Sequence, residues 1–276
     1  MRNLADFHIH PDYSIDAEGS IGQYCDRALK IGLGVICFTA HYDSNPKRAE
    51  IDGYWRYNGN RAKLSDSIVE KYIKDIQKAR ETYNRLSLDL FCGLEIDYYQ
   101  GVEEEVERLR AKFPLDFVIG SVHCLDDIAI SDESEAPSYF VRRSVDQMAD
   151  NYFELLLMAA RCRGFDCLGH LDYYIRYGRE YYGDLINEIE VERFDPVFNM
   201  LKKNGIGIEI NTSPFKRGGD TFHPSSEIID RAINCGVAIM SAGSDCHRPA
   251  DLGKGIVEAY DFLNRRDMEP VFPGML

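Results

Sequence analysis

Histidine and tryptophan are scarce in this chain, at seven and one among 276 residues. Long apolar runs are scarcer still. No stretch approaches the roughly 20 apolar residues of a membrane-spanning helix, and the opening MRNLADFHIH has no hydrophobic signal segment, so a cytoplasmic location and no membrane partner are expected. Basic residues are also in deficit: 32 Lys and Arg stand against 46 Asp and Glu, a formal net charge of −14. That balance argues against a broad nucleic-acid surface, whose affinity is drawn largely from Lys and Arg contacts to phosphate. It leaves room for a local anion site, because bound divalent cations invert the field where they sit.

Disulfide chemistry is not called for. The eight cysteines include four in presumed buried strands, and Cys162 and Cys167 lack the second pair that a structural zinc site needs. They read as small core residues. With 45% apolar and 28% charged residues the composition is that of an ordinary globular protein, and the length suits one domain over 1–276, near the roughly 250 residues of an α/β barrel.

Seven apolar segments alternate with helical patterns, the order of a mostly parallel α/β fold. Strands are expected near 4–10, 34–40, 89–96, 116–123, 165–170, 206–212 and 237–244. The clearest helix is 66–86, where Ile68, Val69, Tyr72, Ile73, Ile76, Ala79, Tyr83 and Leu86 share one face. Others are expected near 101–112, 144–161, 184–203, 225–236 and 250–264, with Gly205 and Gly236 as stops. Two connections are too long for simple turns. Residues 42–65, which hold Trp55, are expected to cap the site, and residues 124–142 form an acidic excursion after His123.

Six of the seven histidines close these strand segments: His8 and His10 in ADFHIH, His41 in VICFTAH, His123 in FVIGSVH, His170 in FDCLGH and His247 in IMSAGSDCH. Residues two apart on a strand project to one side, which pairs His8 with His10 and Asp245 with His247. Glu95 ends the third strand, and Asp16 follows His10 by six residues. Six imidazoles and three carboxylates exceed what a single ion can use, so a multinuclear centre is expected at one end of the barrel. Three divalent ions would outweigh three carboxylates and a hydroxide by about two positive charges, a field that attracts a phosphoryl group. Such ions also lower the pKa of a shared water and stabilise charge on transferring phosphoryl oxygens.

The runs DFHIHPDYSID, TAH, GLEID, GSVH, GHLDY and GSDCHRP resemble the successive motifs of the polymerase and histidinol phosphatase (PHP) superfamily. IEINTSPFKRGG, HPSSEIIDRAINCGV and SAGSDCHRPADLGKG are similar to its histidinol-phosphatase branch, and the likeness runs from residue 6 to about 260. The resemblance implies a distorted (β/α)7 TIM-like barrel with a trinuclear metal site at the C-terminal ends of the strands. It assigns His8, His10, Glu95 and Asp245 to a first ion. Glu95, His123 and His170 hold a second, and Asp16, His41 and His247 a third. Some relatives carry histidine where this chain has Asp16, a change that bears on metal preference or occupancy there. Zn, Fe and Mn all suit such donors.

Asp6 and Asp172 each lie two residues from a histidine and are expected either to orient an imidazole or to serve as structural acceptors. Arg176 is the leading phosphate clamp, because its fork matches phosphate oxygens. Lys216, Arg217 and His223 are further substrate-binding candidates, although a solvated basic loop and an exposed imidazole are the simpler expectations for them. The expected activity is hydrolysis of a small phosphomonoester, with L-histidinol phosphate implied by the resemblance and Asp16, Asp245, His247 and Arg176 as catalytic candidates. Two other readings stand beside it: cleavage of nucleotides or single-stranded nucleic-acid ends, with Trp55 offering a stacking surface, and a non-catalytic, metal-stabilised binding module.

Overall fold

The computed structural model describes residues 4–272. Seven strands form one parallel sheet in the order β1 (Ala5–Ile9), β2 (Val35–Tyr42), β5 (Asp89–Asp97), β6 (Phe117–Ser121), β9 (Cys167–Leu168), β10 (Gly207–Asn211) and β11 (Ile239–Gly243). Two antiparallel hairpins stand outside it: β3 (Tyr54–Tyr57) with β4 (Asn60–Lys63), and β7 (Cys124–Leu125) with β8 (Ile128–Ala129). The sheet curls until its ends meet. Just past β11, Cys246 accepts from His10 N–H at 3.0 Å and donates to the His8 carbonyl at 3.3 Å, joining that segment to β1. The seven strand segments read from the sequence are these seven, and the architecture is the TIM-like barrel expected.

The strands are apolar on both faces because helices cover the outside while side chains fill the inside. These helices are α1 (Ile21–Ile31), α2 (Asp66–Tyr83), α3 (Glu103–Lys112), α4 (Ala136–Phe140), α5 (Val145–Ala159), α6 (Ile175–Tyr182), α7 (Asp195–Asn204), α8 (Ser226–Cys235) and α9 (Ile256–Asn264). Capping boxes start α1 (Ser20 with Gln23) and α5 (Ser144 with Gln147), satisfying backbone donors that the first turn leaves free. Gly205 and Gly236 end α7 and α8 in the left-handed conformation, as the sequence predicts.

Three helical expectations change. The segment 184–203 is helical only from Asp195, because Pro196 fits a first turn and not an interior; 3-10 turns occupy Gly183–Glu188 and Val191–Phe194. The helix placed at 250–264 begins at Ile256, since Gly253 and Gly255 both take φ near +78°. Helices α1, α4 and α6 are not singled out by the sequence, where short amphipathic stretches are hard to separate from the loops around them.

A register shift between Asp6 and Ile9 lets Phe7 and His8 both turn inward. Phe7 meets Phe117 at 5.2 Å and Phe91 at 5.4 Å, rings from strands that do not pair with β1, and fills the floor of the barrel. Burial of such a ring contributes about 1.5–3 kcal/mol. Gly243 makes room beside it: a Cβ there would lie 2.3 Å from the His8 Cβ. All eight cysteines are free and seven are buried, in keeping with their reading as core residues.

The connection 42–65 is built and anchored, with Trp55 buried in the core at its hairpin. Arg48 ties it to the other long connection. That guanidinium, 4% exposed, donates to both Glu135 oxygens at 2.8 Å and to the Asp127 carbonyl at 2.8 Å.

Candidate metal centre

Every expected ligand sits at or just beyond the C-terminal end of a barrel strand, or in the loop that follows β1. Glu95 is the centre of the group. Its Oε2 lies 3.2 Å from His8 Nε2, 3.4 Å from His10 Nε2 and 3.0 Å from His41 Nδ1. Its Oε1 lies 3.1 Å from His170 Nε2 and 3.4 Å from His123 Nε2, and accepts from Ser121 Oγ at 2.6 Å. One buried carboxylate thus turns a different oxygen to each of two imidazole groups.

Three compact donor groups result: His8, His10 and Glu95; Glu95, His123 and His170; and His10, His41 and His247. His10, stacked between the rings of His41 at 4.1 Å and His247 at 4.2 Å, belongs to two of them. Asp245 and Asp16 flank these groups. Asp245 Oδ1 is 3.6 Å from His10 Nε2, while Asp16 Oδ2 is 3.1 Å from His247 Nε2 and 3.7 Å from His41 Nε2 on the solvent side.

These donors fit divalent ions on two counts. His8 Nε2, both nitrogens of His10, Glu95 Oε2 and His170 Nδ1 are buried without a hydrogen-bond partner, an arrangement that costs free energy unless lone pairs are used. The facing nitrogens of His123 and His170 are 3.2 Å apart and those of His41 and His247 3.3 Å apart. Two nitrogens about 2.0–2.1 Å from a tetrahedral ion stand about 3.4 Å apart. Protonated imidazoles would repel at that distance.

The electrostatics agree. Burial, helped by His41 and His247, holds His10 well below the ordinary histidine range, so the lone pair of one ring nitrogen stays available. Burial chiefly lowers His123 to about 3, with His170 and His41 adding to the effect. Burial resists charge on Glu95, yet His8, His123, His41 and a hydrogen bond from His170 hold its carboxyl well below the usual range. The same contest at Asp245 is decided by Lys216 first and then by His8, His10 and His247, which keep it ionised. Two of the expected ligands also sit in the backbone region that non-glycine residues seldom adopt, Asp245 at φ 51° and His170 at φ 20°.

The residue that orients His8 is Glu209, which the sequence reading passed over. His8 Nδ1 donates to Glu209, 2.9 and 3.1 Å from its two oxygens, so Nε2 is the nitrogen that faces Glu95. Glu209 also accepts from His170 N–H at 3.1 Å and from Asn211 Nδ2 at 3.0 Å. Its signal was an acidic residue inside GIEIN, a strand buried on both faces where a charge requires partners. Asp6, by contrast, accepts from the backbone of Ser244 and Gly253 at 2.9 and 3.1 Å and contacts His8 only through its N–H, as a structural acceptor. Asp172 does not hold His170 either. Its carboxylate takes His223 Nδ1 at 2.7 Å and Ser225 N–H at 2.9 Å.

His223 is therefore buried, contrary to the simpler expectation, drawn in by Asp172 and by paired backbone bonds of 2.8 and 2.9 Å with Asn211. Lys216 is not a solvated loop residue: its ammonium donates to the Asp245 carbonyl and lies 3.9 Å from Asp245 Oδ1. Partial burial and the neighbouring Arg176 guanidinium lower the pKa of Arg217, which marks those two cations as neighbours. Arg176 donates to the Tyr173 hydroxyl and keeps an unpartnered Nε, and the Tyr173 ring packs on His170 at 4.2 Å. Trp55, 1% exposed, offers no stacking surface for a nucleic-acid substrate, whereas its neighbour Tyr57 in the same hairpin is exposed.

A parallel barrel whose strand ends carry clustered imidazoles around one carboxylate is the build of a metal-dependent hydrolase. The family model described as the PHP domain matches residues 6–213, and the chain belongs to that family. Among its relatives is a probable histidinol-phosphatase of Deinococcus radiodurans, 29% identical over 94% of this chain and 92% of that protein. A histidinol-phosphatase of Lactococcus lactis is 25% identical over 90% of this chain and 85% of its own. The crystal structure of histidinol phosphate phosphatase from Lactococcus lactis, complexed with zinc, L-histidinol and phosphate, superposes with a TM-score of 0.77 at 21% identity, covering 98% of this chain and 95% of that one. Among the described residues, no helix is long and apolar enough to cross a membrane.

Proposed function

We propose that this chain is a metal-dependent phosphomonoesterase that hydrolyses L-histidinol phosphate to L-histidinol and phosphate, a step of histidine biosynthesis. The observation that carries the reading is Glu95, whose two oxygens face two separate imidazole groups. The relatives named as histidinol-phosphatases, matched over most of their length, support the substrate.

His8, His10, Glu95 and Asp245 would hold one ion, Glu95, His123 and His170 a second, and Asp16, His41 and His247 a third; Zn, Fe and Mn are all compatible with these donors. When bound, such ions supply an activated water at neutral pH and positive charge for the phosphoryl oxygens. The chain's own residues do the rest. Glu209 holds the His8 tautomer, and the His247 Nδ1 proton is committed to the Asp245 carbonyl at 3.1 Å, leaving Nε2 toward Asp16. Lys216 holds the Asp245 backbone and adds positive charge at the rim, while Arg176, with Arg217 beside it, would receive equatorial phosphate oxygens. Asp16 Oδ2 and His247 Nε2, on the solvent side, would complete the outer donor set or pass a proton to the departing alkoxide.

The test is phosphate release from L-histidinol phosphate compared with nucleoside monophosphates and short oligonucleotides, using metal-loaded protein. Preference for the nucleotides would overturn the substrate. Asp245→Ala should abolish turnover and leave the circular-dichroism spectrum unchanged, and an active variant would remove Asp245 from the centre.

A further inference from the structure

The hairpin β3–β4 reaches the rim of the metal centre through two consecutive residues. Trp55, packed against Tyr13, Tyr42 and Tyr72, donates its indole N–H to the His41 carbonyl. Arg56 fastens the loop after β1. Its guanidinium donates to the carbonyls of Asp12 at 3.2 Å, Ile15 at 2.6 Å and Ala17 at 2.7 Å, and its backbone N–H to Tyr13 at 2.8 Å. Those four acceptors bracket Asp16.

Asp16 has little else to fix it. Its side chain is 59% exposed, and its ion pairs among the described residues are with His41 and His247. A carboxylate on an unfastened loop would have to be ordered each time an ion arrived, which weakens binding. The loop makes its own turns, Ser14 N–H to Pro11 at 2.9 Å and Ala17 N–H to Ser14 at 3.3 Å, and a bond from Glu18 N–H to the His247 carbonyl at 2.7 Å. Arg56 is the side chain that hydrogen-bonds it to the hairpin, beside the packing of Tyr13 on Trp55; the hairpin is tied to His41 by the neighbouring indole, and the loop itself meets His41 where Ser14 Oγ accepts from the His41 N–H at 3.0 Å.

We propose that Arg56 is a positioning residue for the outer ion site. It holds the Asp16 loop against the element that also holds His41, so the hairpin sets how tightly Asp16, His41 and His247 retain a divalent ion. The inference rests on the reading of those three residues as ligands. A planar fork is required because three carbonyls in different directions must be satisfied together, and a lysine ammonium reaches fewer of them. A cavity of about 530 Å³, lined by Asp12, Tyr13, Arg56 and Lys71 among others, opens beside the guanidinium and gives a small cation access when the side chain is shortened.

The test uses the full chain, stripped of metal and dialysed to equilibrium against graded free Zn2+, with ions per chain counted by plasma mass spectrometry. Asp16→Asn and Arg56→Ala should each weaken the loosest equivalent by about tenfold or more and leave the tighter ones unchanged, with Arg56→Lys between them and wild type. Guanidinium ion in the dialysis buffer should restore Arg56→Ala and leave Asp16→Asn unaffected. An unchanged loosest equivalent in Arg56→Ala overturns the proposal. So does a parallel loss of all equivalents in both Arg56 variants without guanidinium rescue, which would mark a general folding role. If Asp16→Asn itself alters nothing, the outer site as read here is wrong, and Arg56's part in it falls too. Phosphate release is not measured in this test, so none of these results bears on the substrate.

Discussion

His8 and Glu209, 201 positions apart in the chain, share a proton inside the barrel at 2.9 Å. Because the carboxylate takes the Nδ1 hydrogen, Nε2 is the nitrogen left to face the centre; burial opposes charge on His8, but Glu209 and Glu95 raise its pKa well above the ordinary range, so an arriving ion displaces the Nε2 proton. Glu209→Gln can keep a hydrogen bond but loses the charge that favours this tautomer. Metal affinity should fall about 10- to 100-fold, with kcat/KM recovering when excess metal is supplied. Titration of the metal-free variant checks the first part and activity at saturating metal the second. Unaltered affinity would show that Glu209 serves only the core.

Glu95 faces both imidazole groups, so its loss should be felt in both. Glu95→Gln is expected to reduce the bound ions by more than the single equivalent lost at a peripheral ligand, and to lower kcat by about 1,000-fold or more. Metal content and steady-state rates measured on one preparation decide it. Loss confined to a single equivalent would mean that the two oxygens do not bridge.

Proton release should accompany metal uptake, and unevenly. Burial opposes charge on His41, but Asp16 and Glu95 raise its pKa to about 10, while His123 stays near 3. In the metal-free chain at pH 7, His41 therefore carries a proton that an ion must displace, and His123 does not. In the metal-free protein, His41's contribution to stability is fully present below about pH 6.5 and is lost as pH rises through about 10. Metal binding should accordingly tighten from pH 7 toward pH 10 and release fewer protons as it does so. Calorimetry in buffers of different ionisation enthalpy measures the release, and a value independent of pH across that window would contradict the prediction.

The two long connections are coupled through Arg48 and Glu135. Removing Arg48, whose guanidinium is 4% exposed, leaves the Glu135 and Asp52 carboxylates, each 29% exposed, without their shared cation. Arg48→Ala should cost about 3 kcal/mol of stability, and Arg48→Met, which fills the space without the charge, less. Denaturant unfolding of both variants tests this. Equal losses would show that the charge and its hydrogen bonds, not packing, are what Arg48 supplies.

The strand ends were legible because a parallel barrel writes its core as short apolar runs, and an imidazole closing such a run stands out. His8, His41, Glu95 and His170 could be placed that way. What stayed hidden depends on partners far away in the chain. Glu209 reads as an ordinary strand residue until His8 is brought against it, and His223 looks like a loop histidine until Asp172 draws it in. Trp55 suggested a stacking surface, because nothing local announces that three tyrosines from separate elements will enclose it. Asp6 and Asp172 had the right spacing to histidines but found backbone N–H groups or another imidazole instead.

Cys246, the residue that zips to β1, lies between Asp245 and His247. Two donors from late in the chain therefore reach those from its beginning only when the last strand docks beside the first. During synthesis the polypeptide cannot assemble its full set of donors until most of its length has left the ribosome, and a nascent fragment ending before residue 245 would lack both the seal and the ligands beside it. Closing the donor set becomes a late event, one that waits on the docking of β11 and its following loop beside β1.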